Sequence, residues 1–327
     1  MVKPLFIGLL AALSIQASAT VIKSSSVSEE NVMQNIQLKT KVGELAANLC
    51  LPQNANQGSE KLPVVIVTGA WTTVKEQMPA VYARALAEQG YAALTFDFRG
   101  WGESTDKTQY LEDPQRKIAD IQAVIDAVQE VGDEFTFVDT KRIAGLGICA
   151  SAGYMLDAVL ANEGIKTVAV VAPWLHDKTL ATAIYGGEEN VNALLAAAQN
   201  AEQSELLVTI EAASLTNQSA LMYQAPYYTE TDRGLIPAYD NLFNVASWQG
   251  WLNYDALQNA EAQDKPVLMV ASDAMALPAG TKQYLDKAGA NVQAIWLDGI
   301  SQFDFYDQPS AVTQALQAID THFSKHL

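Results

Sequence analysis

The sequence predicts an α/β fold in which a mostly parallel central sheet is covered by helices on both faces. Strand and helix patterns alternate along most of the 327 residues, and this alternation is typical of a parallel sheet. The run Val64-Val-Ile-Val-Thr68 is short and β-branched, as expected for a strand buried on both faces. The third observation is an abrupt change from strand to helix within residues 145–153.

The strand patterns begin with a hairpin and are then separated by helices. Gly90 ends the first helical pattern, and Asp113-Pro114 opens the second as a cap followed by a first-turn proline. Strands are predicted at 34–40, 44–51, 64–68, 91–98, 142–149, 168–171, 266–271 and 292–297. Helices are predicted at 74–89, 114–128, 152–160, 279–288 and 309–323.

The first residues have the three parts of a secretion signal. Lys3 precedes an apolar run over 4–15, and small residues follow at Ala17-Ser-Ala19. We therefore expect residues 1–19 to be removed and the product to be exported, to the periplasm or outside the cell. The apolar run is short for a transmembrane span, and no other segment suggests one. Residues 20–31 read as a flexible leader.

Residues 175–259 interrupt the alternation. This stretch is alanine-rich and helical at first and then rich in tyrosine and tryptophan. Because it follows a strand that should end near the turn at 145–153, we predict that it is a lid inserted into a core formed by 32–174 and 260–327. The alternative is an ordinary helical subdomain whose aromatic side chains form their own core.

Composition limits the partners and cofactors. The net charge of −17 argues against nucleic acid or an anionic lipid surface as a partner. The three histidines, at 176, 322 and 326, have no zinc-site spacing, so we expect no metal and no cofactor. A small-molecule substrate remains, and the oligomeric state is left open. The two cysteines, Cys50 and Cys149, do not make a disulfide framework, although a bridge between them stays open.

The segment 145–153 carries the strongest chemical signal. Gly147-x-Cys149-x-Ser151 follows an apolar strand and precedes a helix, which is the pattern of a nucleophile elbow. The turn is crowded and needs small flanking residues. Centring it on Ser151 would put Cys149 at a position that requires glycine, so the spacing favours Cys149. The alternative is that Cys149 is a small buried core residue.

Three motifs together resemble those of the α/β-hydrolases. They are Thr68-Gly-Ala-Trp71, Phe96-Asp-Phe-Arg-Gly-Trp-Gly-Glu-Ser104 and the elbow, in the order and spacing of that superfamily. Cysteine at the elbow is similar to the dienelactone hydrolases. Trp71-Thr-Thr-Val-Lys-Glu-Gln-Met78 and Phe303-Asp-Phe-Tyr-Asp307 resemble a related bacterial branch of mostly uncharacterised hydrolases. The resemblance implies hydrolysis of an ester, lactone or thioester.

A cysteine nucleophile must lose its proton before it attacks a carbonyl group. The N-terminus of the following helix should favour the Cys149 thiolate. The amide of Ala150 is a natural donor to the oxyanion, and we expect a second donor at Ala70 or Trp71, after the early strand.

The catalytic base is where the chain departs from the resemblance. Gln302 occupies the position expected for the histidine after the last strand, and a glutamine cannot accept a proton. Asp273 is the only carboxylate near the position expected for the acid, and it also reads as a solvated turn residue. His176 could reach Cys149 and serve as the base, or it could anchor the lid through hydrogen bonds.

Two functions follow from these observations. The first is an exported hydrolase or acyl transferase that forms an acyl-enzyme on Cys149. The second is a catalytically impaired relative that binds a small apolar ligand or a partner, which Gln302 favours. A redox role for Cys149 ranks third, because no second cysteine lies nearby in the sequence.

Overall fold

The structure is a computed structural model that describes residues 22–24, 32–53, 55, 60–130, 137–160 and 162–327. The predicted signal sequence, 1–19, lies outside these residues. The predicted leader also lies outside them, except for residues 22–24. Those residues form a strand at the edge of the sheet, because an edge offers unpaired backbone groups to any extended neighbour.

The described strands form one large sheet and two small ribbons. In chain order they are β1 (Ile22–Ser24), β2 (Val32–Thr40), β3 (Gly43–Leu51), β4 (Leu62–Thr68), β5 (Ala92–Phe96), β6 (Val138–Ile148), β7 (Ile165–Val171), β8 (Thr209–Glu211), β9 (Ala213–Ser214), β10 (Met222–Tyr223), β11 (Leu242–Asn244), β12 (Val267–Ala271) and β13 (Val292–Trp296).

The described helices separate the strands of the large sheet or lie between β7 and β12. In chain order they are α1 (Met78–Glu88), α2 (Pro114–Glu130), α3 (Ala150–Leu160), α4 (Lys178–Ile184), α5 (Glu188–Glu202), α6 (Pro226–Thr229), α7 (Ser247–Asn253), α8 (Pro278–Lys287), α9 (Asp304–Asp307) and α10 (Pro309–His326). In the described part of the chain, no helix is both long and apolar enough to cross a membrane.

The large sheet has the strand order β1-β2-β3-β5-β4-β6-β7-β12-β13. Six neighbouring strands run parallel, in the order β5, β4, β6, β7, β12 and β13. The strands β1, β2 and β3 add antiparallel pairs at one edge. The parallel strands are buried along most of their length. The exceptions are β13 at the other edge, the starts of β4 and β6, and Lys166 on β7. This arrangement confirms the predicted fold class.

The order of the strands determines where a ligand can bind. The chain moves from β4 to β5 in one direction and then crosses back past β4 to β6. Since such crossovers are right-handed, α1 and α2 lie on opposite faces of the sheet. A crevice therefore opens at the carboxyl ends of β4 and β6, and in sheets of this kind such a crevice is where ligands bind.

The segment 175–259 holds α4 to α7 and the two ribbons, β9 with β10 and β8 with β11. Its aromatic side chains are largely buried, including Phe243, Trp248 and Trp251. Trp71, which follows β4, packs against all three of these rings. The segment is therefore packed onto the carboxyl end of the sheet, beside the crevice.

Candidate active site

Cys149 occupies the turn between β6 and α3. Its φ of 59° lies in the left-handed region, which a non-glycine residue adopts only where the surroundings hold it. A Cβ on Gly147 would lie 2.6 Å from the carbonyl oxygen of Ser151, so the close passage of the helix start requires glycine there. Ser151 is buried, and its hydroxyl donates to the carbonyl oxygen of Gly69. The turn thus presents Cys149, and Ser151 supports the loop after β4.

Cys149 lies at the floor of a cavity of about 400 Å³. Eight of the lining residues come from the sheet and its turns, and seven come from the segment 175–259. Aromatic and aliphatic side chains predominate. The lining residues are Trp71, Cys149, Ala150, Trp174, Ile184, Tyr185, Leu221, Met222, Tyr228, Trp248, Trp251, Ala276, Gln302, Phe303 and Tyr306.

Two backbone amides point at the Cys149 sulfur. They belong to Ala150, at the start of α3, and to Trp71, after β4. The amide of Ala70 lies 3.5 Å from the Sδ atom of Met78 instead. Of the two expected positions for the second oxyanion donor, the structure therefore places Trp71, and not Ala70, beside the Cys149 sulfur. An oxygen on a carbon bonded to this sulfur would lie within reach of both donors.

Gln302 lines the cavity, and its amide group is held on both sides. Its Oε1 accepts from the backbone amide of Ala276 at 3.0 Å. Its Nε2 donates to the carbonyl oxygen of Ala172 at 2.9 Å and to the hydroxyl oxygen of Tyr306 at 3.0 Å. Turning the amide over would place Nε2 against the Ala276 amide and Oε1 against the Ala172 carbonyl oxygen. Two donors would then face each other, and so would two acceptors, so this orientation is fixed.

Tyr306 connects Gln302 with Cys149. Its hydroxyl group is hydrogen-bonded to the Cys149 sulfur as well as to Gln302. Burial raises the pKa of Tyr306 well above its usual value, so the phenol is neutral. This residue was not among those that the sequence predicted for the site. A tyrosine four residues after the expected base, at one-turn helical spacing, is the signal that could have identified it.

Asp273 is not part of the cavity. Its carboxylate is exposed and pairs with Lys282 at 2.6 Å. The prediction that it serves as the acid receives no support, since the position facing residue 302 is occupied by the backbone amide of Ala276. Asp273 is thus the solvated turn residue of the alternative interpretation.

His176 is buried, but both of its ring nitrogens are engaged away from Cys149. Nδ1 accepts from the indole of Trp174 at 3.1 Å, and Nε2 lies 2.9 Å from the carbonyl oxygen of Trp251. Burial lowers the pKa of His176, so the ring is neutral. His176 does not line the cavity. The geometry fits the anchoring alternative, in which His176 joins Trp174, after β7, to Trp251 on α7, and it does not support the role of base.

The electrostatics of Cys149 differ from the expected helix-stabilised thiolate. Burial raises the pKa of the thiol, and the negative charge of Glu112 acts in the same direction. The Tyr306 hydroxyl and the amides of Ala150 and Trp71 lower it by a smaller amount. The resting group is therefore a neutral thiol. Both cysteines are free and buried, so the bridge left open above is not formed.

Glu112 is a second residue that the sequence analysis missed. It is fully buried and accepts from Lys117 Nζ at 2.8 Å, from the Thr72 amide at 3.0 Å and from the Tyr154 hydroxyl at 2.9 Å. These partners engage both oxygens of the carboxylate, and it does not line the cavity. It fixes the turn that carries Trp71 and leaves no free oxygen to activate water.

One acidic cluster among the described residues has the spacing of a metal site, formed by Glu76, Asp97 and Glu103. The Nζ atom of Lys75 lies 2.6, 2.8 and 2.7 Å from these three carboxylates, respectively. The ammonium group supplies the positive charge that a cation would bring. The cluster is therefore an ion-pair network that braces the loop after β4.

A strained cysteine with two amide donors at the carboxyl end of a parallel sheet defines an α/β hydrolase. Residues 43–304 match the X-Pro dipeptidyl-peptidase (S15) family. The chain belongs to this family. Over 267 residues it is 27% identical to the uncharacterized protein YcjY of Escherichia coli K12, covering 78% of this chain and 85% of that protein.

Solved structures show the same fold. The hypothetical protein PA2218 of Pseudomonas aeruginosa superposes with a TM-score of 0.79 at 23% identity, covering 93% of this chain and 96% of that one. The α/β hydrolase GrgF from Penicillium sp. sh18 superposes with a TM-score of 0.75 at 18% identity, covering 90% of this chain and 98% of that one. A dienelactone hydrolase from Anabaena variabilis is a more distant match, with a TM-score of 0.55 at 13% identity, covering 91% of this chain and 100% of that one. These matches confirm the predicted α/β-hydrolase fold, whereas the cysteine nucleophile stays a prediction.

Proposed function

We propose that this α/β hydrolase cleaves an ester, lactone or thioester of a small molecule through an acyl-enzyme on Cys149. The observation that carries the proposal is the pair of amides, from Ala150 and Trp71, that converge on the sulfur at the floor of a cavity. The sulfur attacks the carbonyl carbon, and the two amides stabilise the oxyanion that forms.

The cavity favours an uncharged acyl group. Its walls are aromatic and aliphatic, and no lysine, arginine or carboxylate is among the residues that line it. An apolar group gains free energy by leaving water for such a site, whereas a carboxylate or ammonium group would lose its hydration without compensation. A volume of about 400 Å³ suits a small molecule.

The leaving group also limits the kind of bond that the site can cleave. Peptide cleavage, which the family description names, expels an amine that must be protonated as it leaves. The residues lining the cavity include no imidazole and no carboxyl group that could supply this proton. An alcohol, phenol or thiol departs more readily, so esters and thioesters are favoured over peptides.

The segment 175–259 acts as a lid in this proposal. It supplies seven of the lining side chains, among them Tyr185, Trp248 and Trp251. Access to Cys149 then depends on movement of this segment, which also excludes water during the reaction.

Export is a further part of the proposal, and it rests on the three-part pattern of residues 1–19. Expression of the full chain in a Gram-negative bacterium, followed by fractionation and N-terminal sequencing, tests it. The mature protein should begin at Thr20. An uncleaved chain that stays in the cytoplasm would rule out export.

The acyl-enzyme is tested with p-nitrophenyl acetate. We expect a burst of p-nitrophenolate, equal to the enzyme concentration and followed by slow turnover. Intact mass spectrometry should show one acetyl group, located on Cys149 by peptide mapping. Cys149→Ala should abolish both signals. A linear trace without an adduct, unchanged in that variant, would contradict the proposal.

The alternative is a binding protein, and the lack of a histidine or carboxylate in the cavity lining favours it. The same experiment separates the two functions. Tight binding of an apolar ester that is recovered intact, with no adduct on Cys149, would establish the binding function instead.

A further inference from the structure

Resting on the proposed function, we propose a more specific activity: Cys149 passes its acyl group to a second thiol rather than to water, and the Tyr306 hydroxyl carries the proton between the two sulfur atoms. The protein would then be an acyl transferase between thiols. Four observations and chemical arguments support this assignment.

The first observation concerns the base. Hydrolysis of a thioester on Cys149 needs a group that removes a proton from water. The cavity lining, all of it from described residues, contains no side chain that accepts a proton near neutral pH. The carboxylate of Glu112 lies outside the cavity lining, and both of its oxygens already accept from Lys117, Thr72 and Tyr154. His176 has both ring nitrogens engaged.

The second observation is the fixed direction of the hydrogen bonds at residue 302. Because Gln302 must donate to Tyr306, the phenol oxygen keeps one lone pair and its own proton. The Cys149 sulfur is the second partner of that hydroxyl group. In the resting site this hydroxyl donates to the Cys149 sulfur. When the hydroxyl reorients, its oxygen can accept the thiol proton of Cys149 while its own proton turns into the cavity. Gln302 is a positioning residue that enforces this arrangement.

Relative acidity selects the acceptor. Water has a pKa of about 15.7, whereas an ordinary thiol has a pKa of about 8.5. An acceptor thiol therefore gives up its proton far more readily than water, and its attack on the acyl-enzyme requires no strong base. A phenol that moves a proton between two sulfur atoms meets the needs of this exchange, and it cannot meet those of water attack.

The reaction balances without an external base. The Cys149 sulfur attacks the thioester carbonyl carbon and gives its proton to Tyr306, which protonates the departing sulfur. One carbon–sulfur bond forms and another breaks, and a free thiol leaves. The acceptor thiol then attacks the acyl-enzyme, its proton passes through Tyr306 to the Cys149 sulfur, and the new thioester leaves. Tyr306 is unchanged at the end of each half-reaction.

The walls of the cavity agree with a thiol acceptor. Sulfur is polarisable, and a thiol is a weak hydrogen-bond donor that enters apolar surroundings at little cost. The cavity wall is mostly apolar, and it includes Leu221, Met222 and Trp248. A water molecule there would find too few hydrogen-bond partners to be held for attack.

The test uses two defined probes, the phenylacetyl thioester of N-acetylcysteamine as donor and 2-mercaptoethanol as acceptor. Chromatography separates the exchanged thioester from free phenylacetic acid. Exchange catalysed by the protein should exceed acid release by at least roughly tenfold, after subtraction of the rate measured with Cys149→Ala.

The outcomes are distinguishable. An adduct on Cys149 with acid release that does not depend on the acceptor thiol would overturn this inference and leave the proposed function intact. Absence of an adduct and of both products would overturn the two together.

Tyr306→Phe tests the relay. Loss of the hydroxyl should reduce exchange by about 100-fold and make the remaining rate proportional to hydroxide concentration. Tyr284→Phe is the matched control, because it removes another buried hydroxyl outside the cavity lining. An unchanged rate and pH profile in Tyr306→Phe would refute the relay. If that variant does not fold, the wild-type profile decides, since a rate rising about tenfold per pH unit shows that hydroxide takes the proton.

Discussion

At the scale of single residues, the site contains a chain of hydrogen bonds that can orient a proton. No group in this chain is a base near neutral pH. Gln302, Tyr306 and Cys149 are joined in series. The carbonyl oxygen of Ala172 and the amide of Ala276 fix the far end of this chain. A histidine at 302 would both orient and accept the proton, so a single side chain separates an exchange site from a hydrolytic one.

We expect Gln302→His to convert slow deacylation into turnover. The Ala172 carbonyl oxygen that now holds the Gln302 amide would accept the Nδ1 proton of the histidine and leave Nε2 free as a base. The steady-state rate after the p-nitrophenyl acetate burst should rise by about 100-fold. Gln302→Leu, which loses the same hydrogen bonds and adds no base, is the control. A burst that is retained with no faster turnover in Gln302→His would disprove this explanation.

The second prediction at this scale concerns the pH dependence of alkylation. Because burial raises the pKa of Cys149, the thiolate fraction should still be rising at alkaline pH. In Cys50→Ala, Cys149 is the one remaining cysteine of the two. Its reaction with iodoacetamide should accelerate roughly 100-fold from about pH 7 to about pH 9. A plateau at neutral pH would instead indicate the helix-stabilised thiolate first expected from the sequence.

At the scale of elements, the turns after β4 and β5 form one unit. Asp97 accepts from the Lys75 amide at 2.8 Å and from the Glu103 amide at 3.0 Å, and the Ser104 hydroxyl closes the loop onto the Asp97 carbonyl oxygen. The Ser104 hydroxyl oxygen also accepts from the Ala46 amide on β3. The turn that carries Trp71 is thereby tied to β3.

Lys75→Met should destabilise the protein by about 3–5 kcal/mol, because it leaves Asp97 buried without its counter-charge. Both side chains are almost completely buried, at 1% and 0% exposure. Lys41→Met is the matched control. It removes a lysine from an exposed pair with Asp126, and its effect should stay below about 1 kcal/mol. Urea unfolding measures both, and equal effects would contradict the assigned role of Lys75.

The elements were largely predictable from the sequence, and the partners within the site were not. Alternating runs and small residues around Cys149 identified the sheet and the elbow, because both depend on local sequence. The sequence pattern predicts that α1 starts at 74, whereas it starts at Met78. Residues 69–77 form turns instead, because distant residues such as Glu112 and Asp97 accept hydrogen bonds from their backbone amides. The roles of Tyr306 and His176 depend on side-chain contacts between separate elements, which one sequence does not reveal.

At the scale of the whole molecule, many tyrosines are held neutral in the interior. Burial raises the pKa of Tyr154, Tyr228, Tyr254 and Tyr306 well above the usual value. The unfolded chain ionises its tyrosines near pH 10, where the folded protein still retains these protons. The unfolded state then binds fewer protons than the folded state, so the free energy of unfolding must fall as pH rises.

We therefore expect cooperative alkaline unfolding. The Tm should be nearly constant at neutral pH and decline steeply above about pH 10. The near-ultraviolet absorbance of phenolate should increase together with the loss of structure. Ionisation of all 12 tyrosines while circular dichroism remains native would show that the interior is not as closed as the structure indicates.

The indole groups around the cavity give the protein a built-in optical reporter. Trp71, Trp174, Trp248 and Trp251 face the same space and make up four of the six tryptophans in the chain. A compound that enters will change the emission of most of the fluorophores at once. Libraries of unlabelled acyl donors and thiols can therefore be titrated directly, by quenching or by a shift of the emission spectrum, without a chromogenic leaving group.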